Sequence, residues 1–251
     1  MSQEAKMNFV VLTTNRSGSV WLMSTLNNLA HVTAQGELFL PRPRAVERRW
    51  DSDFAHLRFI ETKFERRTLR PFSVFSYLNN LYSAPGTVGF KLMYAQLALY
   101  PEIVLYFMRH RIRVVHLVRQ NHLDVVLSYA VKAKLGRAHL LSGQSAPDNI
   151  QVKLDPATLV RQLAWLQRKQ SLARGLLRWS RLPRLEVTYE DLCHDPAHFY
   201  AIWDFLSIKR DERVPEATVV KIRQAGYREV ISNYDEVEEV LCDSTFASLL
   251  V

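Results

Sequence analysis

The chain has 251 residues, of which 48% are hydrophobic and 11% aromatic, enough for a folded core and against a mainly disordered state. Lys and Arg outnumber Asp and Glu by 33 to 25, so the formal charge of +8 favours anionic ligands. The longest apolar run, residues 103–108, is far too short for a membrane span, and the first residues lack the apolar stretch of a signal peptide. From these two features we predict a soluble cytoplasmic protein, and its two cysteines are too few for a disulfide framework.

Apolar runs alternate with helical patterns along the chain. Strands are predicted at Asn8–Thr13, Thr87–Leu92, Arg113–Val118 and Arg184–Thr188. Helices are predicted over Val20–Leu26, from an Asn121 cap through Leu135, over Ala157–Ser180 and over His198–Leu206. The strands are almost continuously apolar, which is typical of parallel strands covered on both faces. Because no linker is evident, we predict one α/β domain over residues 1–251, with a central, mainly parallel sheet flanked by helices.

Two further features are interpreted from their surroundings. His116 lies inside a predicted strand, and we expect it to be a core histidine with hydrogen-bond partners. Residues 38–85 are polar, Arg-rich and weakly periodic. We interpret that segment as an insertion or lid over one end of the sheet.

The segment Thr14–Trp21 joins the first predicted strand directly to a helix. Backbone N–H groups in such a turn and at a helix start form an anion site, to which Ser17 and Ser19 add hydroxyls and Arg16 adds a charge. An ordinary turn capped by Ser19 is the alternative. The Gly-x-x-x-x-Gly-Lys-Ser/Thr loop of nucleoside triphosphatases is absent, because no Lys precedes Ser19.

The sequence TNRSGSVWL resembles the 5′-phosphosulfate-binding loop of sulfotransferases. Its Arg form is more similar to the bacterial carbohydrate and small-molecule branch than to the cytosolic phenol and steroid branch, which carries Lys. The resemblance implies that the sulfuryl donor is bound by seven consecutive residues, namely Asn15, Arg16, Ser17, Gly18, Ser19, Val20 and Trp21.

Arg119 directly follows the predicted strand Arg113–Val118, and Ser128 lies nine residues later in the next predicted helix. Ligands of open α/β sheets bind at the carboxyl ends of strands, so this guanidinium and hydroxyl could converge on one phosphate. A surface Arg and a solvent-facing Ser are the alternative. With Asp124 between them, the pair resembles the 3′-phosphate-binding motif of sulfotransferases.

Two later segments extend the resemblance. Val187–Leu192 is similar to the family's Tyr-Glu-Asp-Leu segment, which implies that Tyr189 approaches the adenine. Near the C-terminus, Tyr227 and Arg228 loosely resemble the region that supplies a further Arg to the 3′-phosphate. The resemblance therefore implies that Arg228 binds there.

The catalytic residues follow from the same resemblance. Gly89–Met93 looks like the family's central strand, which implies that Lys91 contacts the transferring sulfuryl group or the base; a Lys that extends to solvent is the alternative. Met93 stands where the cytosolic branch has a catalytic His. In the carbohydrate branch the base is a Glu that follows a Gly shortly after the first helix, which implies Glu37, with a solvated loop Glu as the alternative. Arg16 would stabilise charge on the leaving 5′-phosphate.

The resemblance implies a P-loop-like sulfotransferase fold and an enzyme that transfers a sulfuryl group from 3′-phosphoadenosine 5′-phosphosulfate (PAPS) to a hydroxyl by in-line displacement. The product nucleotide would be 3′-phosphoadenosine 5′-phosphate (PAP), and no metal is expected. The acceptor would be a carbohydrate or another small molecule, in a pocket shaped by residues 38–85 and 136–156. The family also implies a homodimer.

Two other functions compete with this interpretation. A P-loop kinase or phosphotransferase would need a Mg²⁺ site, and the third predicted strand is followed by Arg119 rather than by an acidic residue. A nucleic-acid-binding protein would suit the positive charge, but the basic residues are scattered and no known nucleic-acid-binding module accompanies them. We therefore expect neither a nucleic-acid partner nor a membrane span.

Overall fold

The computed structural model describes residues 7–41, 56–63, 69–135, 140–141, 150–195, 197–209, 219–220 and 226–250. The chain divides into two compact units. The first comprises Met1–Val118 and Ala173–Glu216, and the second comprises Arg119–Leu172 and Ala217–Val251. The single domain expected from the sequence stays a prediction.

The described residues form strands and helices in alternation. The strands are β1 Phe9–Thr13, β2 Val32–Glu37, β3 Thr87–Met93, β4 Arg113–Val118, β5 Leu140–Leu141, β6 Arg184–Thr188 and β7 Val219–Val220. The helices are α1 Ser19–Asn27, α2 Phe72–Ser83, α3 Tyr94–Leu99, α4 Glu102–His110, α5 His122–Leu135, α6 Pro156–Ser180, α7 Tyr189–His194, α8 His198–Leu206, α9 Tyr227–Val230 and α10 Tyr234–Cys242. Two 3₁₀ turns cover Phe59–Glu61 and Ala247–Leu250. None of the helices described is both long and apolar enough to cross a membrane.

The first unit contains one five-stranded parallel sheet in the order β2-β3-β1-β4-β6. All four predicted strands are confirmed, and the α/β class with a parallel central sheet is confirmed with them. Val11 of β1 is paired with Lys91 of β3 on one side and with Val115 of β4 on the other, so the carboxyl ends of the three strands lie side by side. Polar groups that follow the strands are thereby collected at one edge of the sheet.

Apolar side chains cover the sheet on both faces. On one face Val10, Leu12 and Phe90 pack with helices α2 and α4. On the other face Val11 and Leu117 pack with α1 and α8. Burial of both faces explains why the predicted strands are continuously apolar rather than alternating.

Part of the segment 38–85 belongs to the core of the first unit. Phe39, Phe59 and Tyr77 are buried and pack ring against ring, and α2 buries Val74 and Leu78. Residues 42–55 and 64–68 lie outside the described residues. The interpretation of residues 38–85 as an insertion or lid stays a prediction, as does the pocket prediction for 136–156, much of which is also outside the described part.

The second unit has its own apolar core. Helix α5 contributes Leu123 and Leu127, α6 contributes Leu159 and Leu163, and Val237 comes from α10. Asn121 caps α5 as predicted, because its Oδ1 accepts the N–H of Asp124 at 3.1 Å. A short antiparallel pair, β5 with β7, also belongs to this unit.

Four polar side chains form a hydrogen-bond network in the first unit. His116 is only 1% exposed; its Nε2 lies 2.6 Å from the hydroxyl of Tyr94, and its Nδ1 lies 2.9 Å from Oε2 of Glu186. Arg174 donates to both carboxylate oxygens of Glu186 at 2.8–3.1 Å. The predicted core histidine with partners is therefore confirmed. A carboxylate accepts only, so Nδ1 carries the proton and Nε2 accepts from Tyr94.

Burial and charge set the ionisation of this network. Burial lowers the pKa of His116 despite the neighbouring Glu186. Hydrogen bonds from Arg174, followed by the charge of His116 and Arg174, lower the pKa of Glu186 against the effect of burial. Burial raises the pKa of Tyr94 well above its ordinary value, and the negative charge of Glu186 adds to this shift. At neutral pH Tyr94 and His116 are therefore neutral, and Glu186 and Arg174 form an ionised pair.

This ionisation predicts that acid destabilises the fold in two stages. In the unfolded protein His116 becomes protonated below about pH 6.5, whereas burial opposes its protonation in the native protein. Each pH unit of acidification therefore lowers the free energy of unfolding by at most about 1.4 kcal/mol through this group. Protonation of Glu186 adds a further loss below about pH 4.5. Denaturant unfolding between pH 7.5 and 5 measures the slope. His116→Gln should show a shallower slope than wild type, and identical slopes would contradict the assignment.

Candidate anion-binding site

The loop between β1 and α1 adopts the backbone geometry of an anion site. Arg16 and Gly18 both have left-handed backbones, with φ of 63° and 79°, on either side of Ser17. The first hydrogen bond of the helix runs from the N–H of Leu22 to the carbonyl of Gly18. The N–H groups of Ser19, Val20 and Trp21 therefore have no acceptor within the helix, at its positive end.

Buried hydroxyl groups hold this loop against the sheet. Ser17 is fully buried, and its Oγ lies 2.6 Å from Oγ1 of Thr13 and 2.8 Å from the carbonyl oxygen of Thr14. Thr13 in turn donates to the carbonyl of Leu117 on β4 at 2.7 Å. The hydroxyl of Ser17 is thus engaged in holding the loop against the sheet. Among the predicted loop residues, Ser17 offers a ligand its N–H group rather than its hydroxyl.

Tyr189 packs against the back of the loop. A Cβ atom placed on Gly18 would lie 2.2 Å from Cδ2 of Tyr189. The ring of Tyr189 also meets Trp21 edge-on, with centroids 6.2 Å apart, and Trp21 meets Phe199 of α8 at 5.2 Å. The structure therefore brings together the predicted Tyr189, Gly18 and Trp21. Only glycine combines the left-handed backbone with room for this ring.

The two other predicted catalytic residues form an ion pair at the edge of the sheet. Nζ of Lys91 lies 3.0 Å from Oε1 of Glu37, with side chains that are 5% and 20% exposed. Glu37 ends β2 and is paired in register with Lys91 after a bulge between Gln35 and Glu37. The bulge turns the Glu37 side chain to the side of Lys91. Glu37 is therefore a partly buried strand residue with a cation beside it, and not a solvated loop residue.

Gln96 completes this arrangement and was not predicted from the sequence. Its Nε2 donates to Oε2 of Glu37 at 2.8 Å, and its Oε1 accepts the N–H of Met93 at 3.1 Å. Each oxygen of the Glu37 carboxylate thus has one donor. In the sequence, Gln96 stands out only as an amide among the otherwise apolar residues at the start of α3.

Arg119 and its neighbours are described within the second unit. Nη2 of Arg119 lies 2.6 Å from Oδ2 of Asp124, and Ser128 is half-buried further along α5. The hydroxyl of Tyr227 donates to Oδ1 of Asp124 at 3.0 Å. The structure thus places Tyr227, which the sequence did not single out as a site residue, in the same hydrogen-bond network as Arg119.

Arg228 has different neighbours. Its side chain is 65% exposed, and its guanidinium lies over the ring of Tyr234 and pairs with Asp235 at 3.2 Å and with Glu238 at 2.9 Å. A phosphate at Arg228 would meet two carboxylates. The predicted contact of Arg228 with a 3′-phosphate stays a prediction.

Side chains that could bind a metal are not clustered in the part of the chain that the structure describes. Among the described residues no group of three His, Cys, Asp or Glu side chains could hold a metal ion. Among the predicted residues, Arg16 and Lys91 supply positive charge in the first unit, and Arg119 supplies it in the second unit.

Comparison with known proteins identifies the fold. No family model matches the sequence, and no curated protein matches it either. A crystal structure of a sulfotransferase from Alicyclobacillus acidocaldarius is similar with a TM-score of 0.50 and 14% identity, over 98% of this chain and 94% of that one. The chain shares the fold of that enzyme. The predicted P-loop-like sulfotransferase fold is therefore confirmed.

Two other structures match with lower scores. A sulfotransferase domain from the curacin biosynthetic pathway has a TM-score of 0.47 and 17% identity, over 90% of this chain and 82% of that one. Mouse sulfotransferase SULT7A1 complexed with PAP has a TM-score of 0.44 and 12% identity, over 99% of this chain and 89% of that one.

The contact of Gly18 with Tyr189 predicts that Gly18→Ala is strongly destabilising. The left-handed backbone and the collision with the ring together should cost about 2 to 4 kcal/mol. Gly175→Ala in α6 is the matched control, because a Cβ there meets nothing within 4 Å and should stabilise the helix by about 0.5 to 1 kcal/mol. Denaturant unfolding measures both. Equal effects of the two substitutions would contradict the packing described.

Proposed function

We propose that this chain is a sulfotransferase that uses PAPS as donor and a hydroxyl of a carbohydrate or another small molecule as acceptor. The observation that carries the proposal is the loop at residues 14–18 with the start of α1, where the left-handed residues Arg16 and Gly18 precede three helix-start N–H groups in a sulfotransferase fold. Such a loop binds a phosphate-like group through N–H donors and a fixed charge.

The composition of the loop favours a phosphosulfate over a nucleoside triphosphate. A triphosphate site requires a Lys and a Mg²⁺ ligand within the loop, and the residue before Ser19 is Gly18. Arg16 supplies a charge that needs no metal, and a guanidinium can contact two oxygens at once. A 5′-phosphate with a sulfuryl group attached carries less charge than a triphosphate, so one Arg with backbone donors can neutralise much of it.

Donor binding divides among the predicted residues by their chemistry. Asn15, Ser17, Gly18, Ser19, Val20 and Trp21 would bind the 5′-phosphosulfate with Arg16, mainly through backbone N–H groups. Tyr189 would approach the adenine. Arg119 and Ser128 would bind the 3′-phosphate, and Arg228 is retained as a further candidate for that phosphate.

The ion pair at the end of β2 suits the transfer step. Glu37 would remove the proton of the acceptor hydroxyl as its oxygen attacks sulfur. The bond from sulfur to the 5′-phosphate oxygen breaks in line, and Arg16 stabilises the charge that forms on that oxygen. The proton stays on Glu37, and the nucleotide leaves as PAP. Lys91 and Gln96 hold the carboxylate in one orientation, which is the main contribution that a protein makes to this class of reaction.

Binding of PAP tests the donor site directly. Calorimetric titration should show that wild-type protein binds PAP in the presence of EDTA, and Arg16→Ala should weaken the affinity by about 10- to 100-fold. Arg178→Ala, which removes an exposed arginine of α6, is the matched control and should bind normally. Absence of PAP binding, or tighter binding of ATP with Mg²⁺, would contradict the proposal and favour a kinase.

Glu37→Gln tests the transfer step. Gln keeps the size of Glu and can still accept from Lys91 or Gln96, so PAP affinity should change by less than about two-fold, while removal of the base should lower transfer by about 100-fold or more. The assay measures sulfur-35 transferred from labelled PAPS to a panel of sugars, alcohols, phenols and amines. Glu102→Gln is the control carboxylate and should transfer normally. Undiminished transfer by Glu37→Gln would exclude Glu37 as the base.

A further inference from the structure

Helix α6 carries large apolar side chains that face solvent. Trp165 is 53% exposed and Leu172 is 62% exposed, although another face of the same helix buries Leu159 and Leu163 in the core of the second unit. Trp165 and Leu172 are seven residues apart, so they lie in one line along the helix. Aligned apolar side chains that remain exposed indicate a surface for interaction.

Basic side chains accompany these two residues. Arg161 and Arg168 are exposed, and Lys169 is half-buried. At about 100° of rotation per helical residue, the five side chains fall within about 100° of the helix surface. The outer face of α6 is defined here as Arg161, Trp165, Arg168, Lys169 and Leu172, all within the second unit.

The charge of the outer face has one sign. The sequence contains no Asp or Glu between residues 156 and 180, so no acidic residue of α6 neutralises Arg161, Arg168 or Lys169. Nζ of Lys169 lies 4.8 Å from the centroid of the Trp165 ring. The outer face is therefore apolar along its centre and positive along its sides, which makes it complementary to a surface that is apolar within and negative outside.

We propose that the outer face of α6 binds the surface of a membrane rich in anionic phospholipids, with the helix parallel to that surface. Trp165 and Leu172 enter the boundary between headgroups and acyl chains, where Trp is preferred in membrane proteins. The three cations contact the lipid phosphates, and their aliphatic stems lie along the apolar part of the face. The inference uses none of the residues of the proposed donor site and does not depend on the proposed function.

Two other occupants fit the outer face less well. A second copy of this chain would bring like charges together. A single-stranded nucleic acid binds by stacking bases on several aromatic rings within a basic groove. The outer face has one aromatic ring, one side of which is covered by Lys169, and Leu172 offers no ring for stacking. The observations therefore favour a lipid surface.

Sedimentation of the full chain with lipid vesicles tests this inference. Wild-type protein in about 0.1 M salt should bind vesicles of equal parts phosphatidylglycerol and phosphatidylcholine at least about ten-fold more tightly than vesicles of phosphatidylcholine alone. Arg161→Glu combined with Arg168→Glu should weaken this binding by at least about ten-fold, because each cation near an anionic surface contributes about five-fold in affinity. Trp165→Gln combined with Leu172→Gln should weaken it by about five- to ten-fold.

Matched variants separate the outer face from the net charge of the protein. Arg109→Glu combined with Arg111→Glu alters two exposed arginines at the end of α4, changes the net charge by the same amount, and should bind within about two-fold of wild type. Leu105→Gln removes an apolar side chain that is 54% exposed on α4 and should also bind normally. The thermal melting midpoint verifies that each variant is folded.

Three results would each overturn the inference. The first is equal binding, or no binding, of wild-type protein to the two kinds of vesicle. The second is an equal loss of vesicle binding in the α4 variants and the α6 variants. The third is binding of a single-stranded oligonucleotide that is tighter than vesicle binding and is lost in the Arg161→Glu, Arg168→Glu variant, which would assign the outer face to nucleic acid.

Discussion

The structure of the first unit depends on one constraint: a parallel sheet that is buried on both faces leaves little solvent for polar side chains, which strongly favours partners within the protein. Thr13 and Ser17 bond to each other and to the backbone. His116 is held between Tyr94 and Glu186. Lys91 is neutralised by Glu37. The polar groups that the chain buries in this way are fixed in position.

The same constraint fixes the loop between β1 and α1 through contacts within the protein. The hydroxyls below the loop hold Ser17 to β1, and the ring of Tyr189 closes the space behind Gly18. The N–H groups at the start of α1 are thus held in place by contacts that a ligand does not need to supply. A site organised in advance spends little of its binding energy on ordering the loop, which leaves more for the transition state.

The sequence alone predicts the central strands and the loop, because both depend on local patterns. Continuous apolar runs predict β1, β3, β4 and β6, and small residues between a strand and a helix predict the loop. Strand β2 was missed because it is an edge strand with Gly36 and a bulge, so it lacks a continuous apolar run. Helix α2 was missed because Phe, Tyr, Ser and Asn are weak helix formers, and its helix is stabilised by tertiary packing.

The residues that a pattern cannot reveal are those that act through another side chain. Gln96 and Tyr227 carry no charge. Gln96 belongs to no motif of the sequence, and Tyr227 lies only in a loosely similar segment near the C-terminus. Their neighbours Glu37 and Asp124 are distant along the chain. Spacing in sequence predicts which residues share a strand end or a helix turn, but long-range side-chain pairs are set by packing. Hence sequence patterns single out charged candidates such as Glu37 and Arg119, whereas the neutral residues that contact Glu37 and Asp124 required the structure.

The two carboxylates share one physical arrangement despite their different neighbours. Glu37 has Lys91 on one oxygen and Gln96 on the other, and Asp124 has Arg119 on one oxygen and Tyr227 on the other. A carboxylate beside a cation tends to engage it with both oxygens, and a neutral donor on the second oxygen prevents this. For Glu37 the result is an acceptor held in one orientation. For Asp124 the result is a carboxylate whose oxygens contact Arg119 and Tyr227. In each case a neutral donor accompanies the charged partner, so the orientation of the carboxylate depends on both of them.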